Sequence, residues 1–376
     1  MTGGAALSRI RVPFLDLRVE DGLQRRRLLH AIEGVMRHGR FIIGPEVSIL
    51  EKKIARWCGR RFAVGVGSGT DALFLGLKSM GIGPGDEVIT TSLSWIATAN
   101  AIAMTGATPV FSDIGPDLNI DPASVYRLLS RRTKAILPVH YTGRVCGMDE
   151  LLRIGRTKNI PIVEDASQAF NATYKGQRAG SFGLLGCFSM NPMKILGACG
   201  EAGMIVLDRN DLHDQLLALR YNGTINRETC LETSINSRLD TVQAAILLER
   251  LRNVGKIVQK RRSIAAYYNR SLLGVIGFPR MSAEAPSVYY TFTILAERRD
   301  ELKLFLEQKG VESRVQHPIL MPDQPAYKKG VKGEFPNARR LVAKILCIPA
   351  HENLTERQVE YVARQIRAFY GRRMGS

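Results

Sequence analysis

The sequence predicts an α/β protein whose mostly parallel sheet is covered on both faces, followed by a smaller α+β domain. Three observations carry this expectation. From Arg61 to Leu207 short apolar runs alternate with helical segments, the pattern of right-handed βαβ units. Beyond Ile276 the rhythm changes to single strands and helices separated by Pro- and Gly-containing loops. At 376 residues the chain is also longer than one average domain and can bury a large core. The boundary is placed between a large domain over 12–250 and a small one over 251–376.

Residues 12–17 read as extended. Helical periodicity follows through Leu23, Leu28, Leu29, Ile32 and Val35 and closes near Gly39. Gly44-Pro45 breaks the chain before a second amphipathic helix running from Glu46 to Trp57. Strands are expected at 62–66, 87–91, 109–111, 135–139, 161–165, 184–188 and 204–207. Helices are expected between them at 70–80, 95–104, 122–129 and 148–156. A helix at 212–220, a loop at 221–234 and one long helix from Leu239 to Tyr268 then lead to the second domain. There a strand at 289–295, helices at 300–308 and 337–344, a further strand and a C-terminal helix at 356–370 complete the reading. No internal repeat or low-complexity segment is visible.

Composition narrows the class. The chain is 45% hydrophobic and 23% charged, as ordinary soluble proteins are. Residues 1–10 carry no apolar run and read as a frayed end, and the apolar stretch 95–111 is too short and too polar to span a bilayer. A cytoplasmic protein without membrane contact is expected. Six cysteines lie singly, without metal-ligand spacing, so neither a metal site nor a disulfide framework is expected. The net charge of +18 raises the possibility of nucleic-acid binding. The basic residues are spread along the chain with no aromatic-interleaved patch, so a basic surface suited to an anionic small substrate is the better reading, with no nucleic-acid partner.

Four stretches carry chemistry. Gly65-Val-Gly-Ser-Gly-Thr70-Asp-Ala-Leu lies between a predicted strand and a predicted helix. Its glycines allow close backbone approach, and the helix N-terminus offers free N–H groups to a phosphate. It has neither Walker A nor GxGxxG spacing, and a plain Gly-rich turn is the alternative. Asp165 closes a strand at the sheet's C-terminal edge, where α/β proteins bind ligands, and can pair with a protonated ring nitrogen. Gln168, three residues on, places an amide donor nearby; a helix N-cap is the alternative role for Asp165. Trp95, just after a strand, is either a stacking platform or core. Lys194 stands among small and apolar residues, after Ser189 and Asn191, which can bind an anion, and before a glycine-rich turn. It is either a Schiff-base lysine or an ordinary surface one. Phosphate cradle, stacking ring, carboxylate, amide donor and lysine together form the set that pyridoxal phosphate requires.

The blocks Phe41-Ile-Ile-Gly-Pro-Glu-Val, Gly67-Ser-Gly-Thr-Asp-Ala-Leu, Gly106-Ala-Thr-Pro-Val-Phe-Ser-Asp-Ile, Pro138-Val-His-Tyr-Thr-Gly, Val163-Glu-Asp-Ala-Ser-Gln-Ala, the Lys194 loop and Asn236-Ser-Arg-Leu-Asp-Thr-Val-Gln run nearly the length of the chain. In that order they resemble the DegT/DnrJ/StrS sugar aminotransferases of the aspartate-aminotransferase-like group. The resemblance implies a three-layer αβα PLP-transferase (fold type I) large domain with a smaller C-terminal domain. It implies Lys194 as the catalytic residue binding PLP, Asp165 on the pyridinium nitrogen, Gln168 on the 3′-oxygen and Trp95 stacked on the ring. Gly69, Thr70 and Ser189 would hold the phosphate, with Asp71 also at the cofactor, and Asn236 would reach the phosphate of a partner subunit, making the active unit a homodimer. Arg238 and His317 would serve the substrate. The expected activity moves an amino group from an amino acid, glutamate first, to a nucleotide-linked 3- or 4-keto-hexose. A cyclitol-ketone aminotransferase, a sugar dehydratase and a non-catalytic PLP-fold regulator are the alternatives. Three stretches depart from the family's usual pattern: Ser189-Met-Asn-Pro-Met-Lys194, Gly200-Glu-Ala-Gly203 and His317-Pro-Ile-Leu-Met-Pro322, which lacks the usual tyrosine and second histidine.

Overall fold

The computed structural model describes residues 11–329 and 333–371; the expected frayed start at 1–10 lies outside them. Helices α1 (Gly22–His38) and α2 (Pro45–Cys58) open the chain. Asp21 caps α1 by accepting from the Leu23 and Gln24 N–H groups, and Pro45 starts α2, where its missing donor costs nothing. There follow β1 (Phe62–Val66), α3 (Gly69–Ser79), β2 (Glu87–Thr91), α4 (Ala97–Met104), β3 (Thr108–Ser112), α5 (Pro122–Leu128) and β4 (Thr133–Leu137). Next come α6 (Met148–Lys158), β5 (Val163–Asp165), the small pair β6 (Thr173–Tyr174) and β7 (Gln177–Arg178), β8 (Leu185–Ser189) and β9 (Gly203–Leu207).

Two ladders, β1-β9-β8-β5 and β3-β2-β4, are joined by parallel bridges Ile136–Ile162 and Val139–Asp165 into one sheet of order β1-β9-β8-β5-β4-β2-β3. All neighbours are parallel except β9, which runs antiparallel to both β1 and β8. The strands are apolar on both faces because both faces are covered. Ile205 and Leu207 pack with Leu73, Leu75 and Leu77 of α3, while Met204 and Val206 face Leu50 and Ile54 of α2.

After α7 (Asn210–Leu219), the expected loop contains a short hairpin of β10 (Thr224–Ile225) and β11 (Thr229–Cys230). Its turn residues Asn226 and Arg227 both have positive φ, a turn twist that matches the right-handed twist of the flanking strands. The single long helix expected over 239–268 is two: α8 (Thr241–Leu251) and α9 (Val254–Ser271). Arg252 and Asn253 donate to the carbonyls three residues back, which tightens the last turn of α8 before α9 restarts. Asn253 and Gly255 are weak helix formers, so the apolar periodicity continues while the helix does not.

The C-terminal unit holds β12 (Phe292–Leu295), α10 (Arg299–Gln308), α11 (Pro336–Val342), β13 (Ile345–Ile348) and α12 (Glu356–Gly371). β12 and β13 pair antiparallel and carry a core of Ile264, Tyr268, Phe292, Ile294, Leu302, Leu306, Ile348, Val362 and Ile366. Helix α9 contributes Val254 and Val258 to the core beneath the large sheet and Ile264 and Tyr268 to this second core. Val12, assigned from sequence to the large domain, instead bridges to Val311 and is buried in the second core.

Candidate active site

The C-terminal edges of β1, β5 and β8 open on a cavity of about 520 Å³ between the large sheet and the β12–β13 unit. Helix α3 starts at this edge. Ser68 caps it, accepting from the Asp71 N–H at 3.1 Å, and its carbonyl takes the Ala72 N–H. The N–H groups of Gly69 and Thr70 have no partner among the described residues, as the first turn of a helix allows, and both residues line the cavity. A Cβ on Gly69 would lie 2.5 Å from the Ser189 Cβ, and one on Gly203 would overlap the Ser68 carbonyl. The glycines let β8 and β9 lie directly against the helix start, making a backbone-lined cradle of anion size.

Asp165 lies on the cavity wall and is 4% exposed. Its Oδ2 accepts from Thr98 Oγ1 at 2.8 Å, Thr98 in turn meets Ser94 Oγ at 3.2 Å, and its Oδ1 accepts from the Ser167 N–H. These contacts fix the carboxylate's plane. Gln168 accepts the Thr142 N–H on Oε1 at 2.8 Å, which aims its amide hydrogens at the cavity. Thr142 has φ 58°, so its backbone bends into the left-handed region to make that bond.

Lys194 sits on a turn shaped by Asn191, whose carbonyl accepts the Lys194 N–H at 2.9 Å and whose Oδ1 accepts from Met193. Asn191 Nδ2 donates to Glu201 across the glycine-rich turn at 2.6 Å. The lysine Nζ lies 3.3 Å from the Tyr290 hydroxyl and 4.3 Å from that ring's centroid. Trp95, 62% exposed, lies two residues before α4 rather than inside it; its ring is 6.0 Å from that of His317 and tilted 41°. His317 Nδ1 meets the buried Tyr141 hydroxyl at 3.0 Å. Burial, and then the charge of Lys194, push the imidazole down to about 4, while burial raises the Tyr141 phenol well above its ordinary value. That bond therefore joins a neutral phenol to a neutral ring at pH 7.

The structure thus brings Gly69, Thr70, Trp95, Asp165, Gln168, Ser189, Lys194 and His317 to one cavity. Asp71, Asn236 and Arg238 do not line this cavity. Asp71, expected among the cofactor-binding residues, is next to the cradle in sequence but accepts from Ser237 Oγ at 2.7 Å. Asn236 and Arg238 lie off this chain's own cavity, bonded to each other at 2.9 Å, with Arg238 stacked 4.4 Å over Tyr221. Sequence reasoning missed Thr98, Tyr141 and Tyr290. The first two fall within stretches already singled out, whereas Tyr290 sits in a stretch read only as strand.

A backbone anion cradle, a fixed carboxylate, an amide donor and a lysine on one rim define the class of fold type I, pyridoxal-phosphate-dependent transferases. The comparisons narrow it. The DegT/DnrJ/EryC1/StrS aminotransferase family model matches residues 23–367, and the chain belongs to that family. A pleiotropic regulatory protein of Geobacillus stearothermophilus is 37% identical, covering 96% of this chain and 98% of its own. The UDP-2-acetamido-2-deoxy-3-oxo-D-glucuronate aminotransferase of Pseudomonas aeruginosa is 34% identical, covering 93% and 98%. The crystal structure of S. venezuelae DesV in complex with a ketimine intermediate superposes with a TM-score of 0.93 at 37% identity, covering 96% and 99%. The chain is a PLP-dependent aminotransferase, and the residues present fit the cofactor. Gly69, Thr70 and Ser189 would hold its phosphate, Asp165 its ring nitrogen and Gln168 its phenolic oxygen, with Lys194 as the covalent attachment. When bound, the cofactor supplies a carbonyl for amine exchange and a ring that accepts electrons from the reacting carbon. Among the described residues no cluster of metal-ligating side chains occurs, and no helix is long and apolar enough to cross a membrane.

Proposed function

We propose that this enzyme transfers an amino group from an amino acid, glutamate first, to a nucleotide-linked 3- or 4-keto-hexose, in amino-sugar formation. The observation that carries this reading is the cavity wall opposite the lysine. Trp95 and a His317 held neutral give a flat, hydrogen-bonding surface of the kind a sugar ring needs, while Arg314, half-exposed and paired with Glu312 at 2.8 Å, keeps one face of its guanidinium for a substrate phosphate. The net charge of +18 favours approach of a diphosphate. Relatives whose names specify nucleotide-linked amino sugars add weight. Asn236, exposed, and Arg238, half-buried over Tyr221, both off their own cavity, suit delivery to a second subunit's site, so the working unit is read as a homodimer with shared sites.

The test begins with the visible spectrum of the purified protein. Glutamate should bleach the lysine-bound cofactor band to that of the amine form, and a ketosugar should restore it. Lys194→Ala should lose the covalent band and lower turnover by on the order of 10³ or more. Restoration by an inosose but by no UDP- or dTDP-ketosugar would move the substrate to a cyclitol ketone. A colourless protein that takes up no PLP would overturn the reading.

A further inference from the structure

The contact between Lys194 and Tyr290 is built with more care than a chance encounter requires. Tyr290 comes from the segment that leads into β12, so it reaches the lysine from the opposite wall of the cavity. The residue before it, Tyr289, has φ 52°, a conformation costly for a bulky side chain and held only where the surroundings over-determine it. Those surroundings are on hand. Val288 N–H and Ser287 Oγ both bond the Gly143 carbonyl, and Ser287 Oγ also accepts the Tyr289 N–H at 2.9 Å. Arg261, buried and paired with Glu352, donates one guanidinium nitrogen to the carbonyls of both Tyr289 and Tyr290, at 3.3 and 3.2 Å. Gly143, at φ 95°, lies so close that a Cβ there would stand 2.8 Å from the Tyr290 backbone nitrogen. A strained residue, a buried arginine clamp and an obligatory glycine converge on one phenol, and that phenol ends at the lysine nitrogen.

We propose that Tyr290 is a further catalytic residue, whose hydroxyl holds the Lys194 amine at the reacting face whenever that amine is not bound to the cofactor. The proposal rests on Lys194 being the cofactor lysine. A phenol suits this duty because it can both donate and accept. When Nζ is a neutral amine, the Tyr290 hydroxyl donates to its lone pair; when Nζ is an ammonium, the same oxygen accepts one of its hydrogens, with the ring face beneath giving further attraction. During amino transfer the lysine amine removes one proton from the substrate carbon and returns one proton to the acceptor carbon. The proton inventory balances on Nζ, and Tyr290 ends as it began, with its O–H intact. Its contribution is to keep Nζ within reach of both carbons while the lysine is unattached, a state in which a free four-carbon side chain would otherwise sample many rotamers.

The experiment uses Tyr290→Phe, which keeps the ring and removes the hydroxyl. Three readouts are taken on the full chain: the rate and pH profile with which the apoprotein captures PLP covalently, the rate of the glutamate half-reaction, and Tm with PLP affinity as controls. Capture and half-reaction should slow by about tenfold to a hundredfold, as loss of a hydrogen bond to a charged group predicts, and the capture rate's pH midpoint should move. Tm, PLP affinity and the KM for glutamate should stay close to wild type. Rates and pH profile equal to wild type would overturn the proposal; so would rates that fall only in step with Tm and PLP affinity, since that is a packing defect. Should Tyr290→Phe fail to fold, a ring-fluorinated tyrosine at position 290 preserves shape and changes only phenol acidity. The capture profile should then shift with the fluorine count, and an unmoved profile would overturn the idea. A wild-type protein without a covalent PLP band would instead sink the cofactor reading, so the two failures are told apart.

Discussion

Single side chains in this site are held by partners that deny them alternatives, and His317 shows the energetic result. In the fold its ring stays neutral down to about pH 4, whereas the unfolded chain protonates it near the ordinary 6.5. Between those values the unfolded chain binds more protons, so stability rises with pH across the window and is lost as pH falls from 6.5 towards 4. Replacing His317 with Gln should flatten that slope, removing on the order of 2 kcal/mol of pH-dependent stability after allowance for partial exposure, measured by urea unfolding at pH 7 and pH 4.5. An unchanged slope would place the acid sensitivity elsewhere. Thr98 offers a second check at the same scale. Thr98→Val removes the hydroxyl that fixes the Asp165 carboxylate and should cost about 1–2 kcal/mol of stability and weaken PLP retention, both readable by thermal unfolding with and without cofactor. Asp165 and Lys194 were legible in the sequence because their chemistry is tied to a strand end and a glycine-rich turn. Thr98 and Tyr290 were not, because a hydroxyl or a phenol looks the same in sequence whether it meets solvent, core or a reacting atom.

Among the elements, the seam where β8 and β9 meet the start of α3 decides whether the cradle exists. Gly203→Ala would drive a methyl group into the Ser68 carbonyl, and backbone cannot rotate aside as a side chain can. A loss of about 3 kcal/mol is expected, with PLP affinity falling in parallel, because the strand must move off the helix start that would hold the phosphate. Chemical denaturation and PLP titration of the variant check this; a wild-type affinity would mean the cradle tolerates the shift. Most strands and helices were legible here, since period-2 and period-3.6 patterns survive when both faces of an element are defined by packing. The break between α8 and α9 was hidden because the apolar stripe runs through Asn253 undisturbed. The direction of β9 was hidden too, as an apolar run buried on both faces reads the same either way.

At the scale of the whole molecule, Asn236 stands exposed and Arg238 half-buried beside it, both off this chain's own cavity, and Asn236 was expected to serve a partner's. If each subunit lends Asn236 to its neighbour, Lys194→Ala and Asn236→Ala chains, each inactive alone, should recover activity when co-expressed. Random pairing makes half the dimers mixed, with one intact site in each, so about a quarter of wild-type activity should return. No recovery in verified mixed dimers would show that each chain completes its own site. The change of rhythm after Ile276 is plain in the sequence, but the packing across it is not: Val12 joins the C-terminal core, and Leu320, Phe335 and Leu341 pack with Leu93, Phe111 and Tyr141 of the large-sheet side, contacts that leave no periodic trace.

The place of β9 in the sheet has a consequence for how the molecule comes into being. β1 carries the cradle at its end, yet among the described residues its strand partner is β9, roughly 140 residues later in the chain, with a lone bridge from Val66 to Arg238 beyond. The strand that ends at the cradle thus enters the sheet through a contact distant in sequence, so the cradle's backbone depends on a residue pairing that the local chain around it cannot supply.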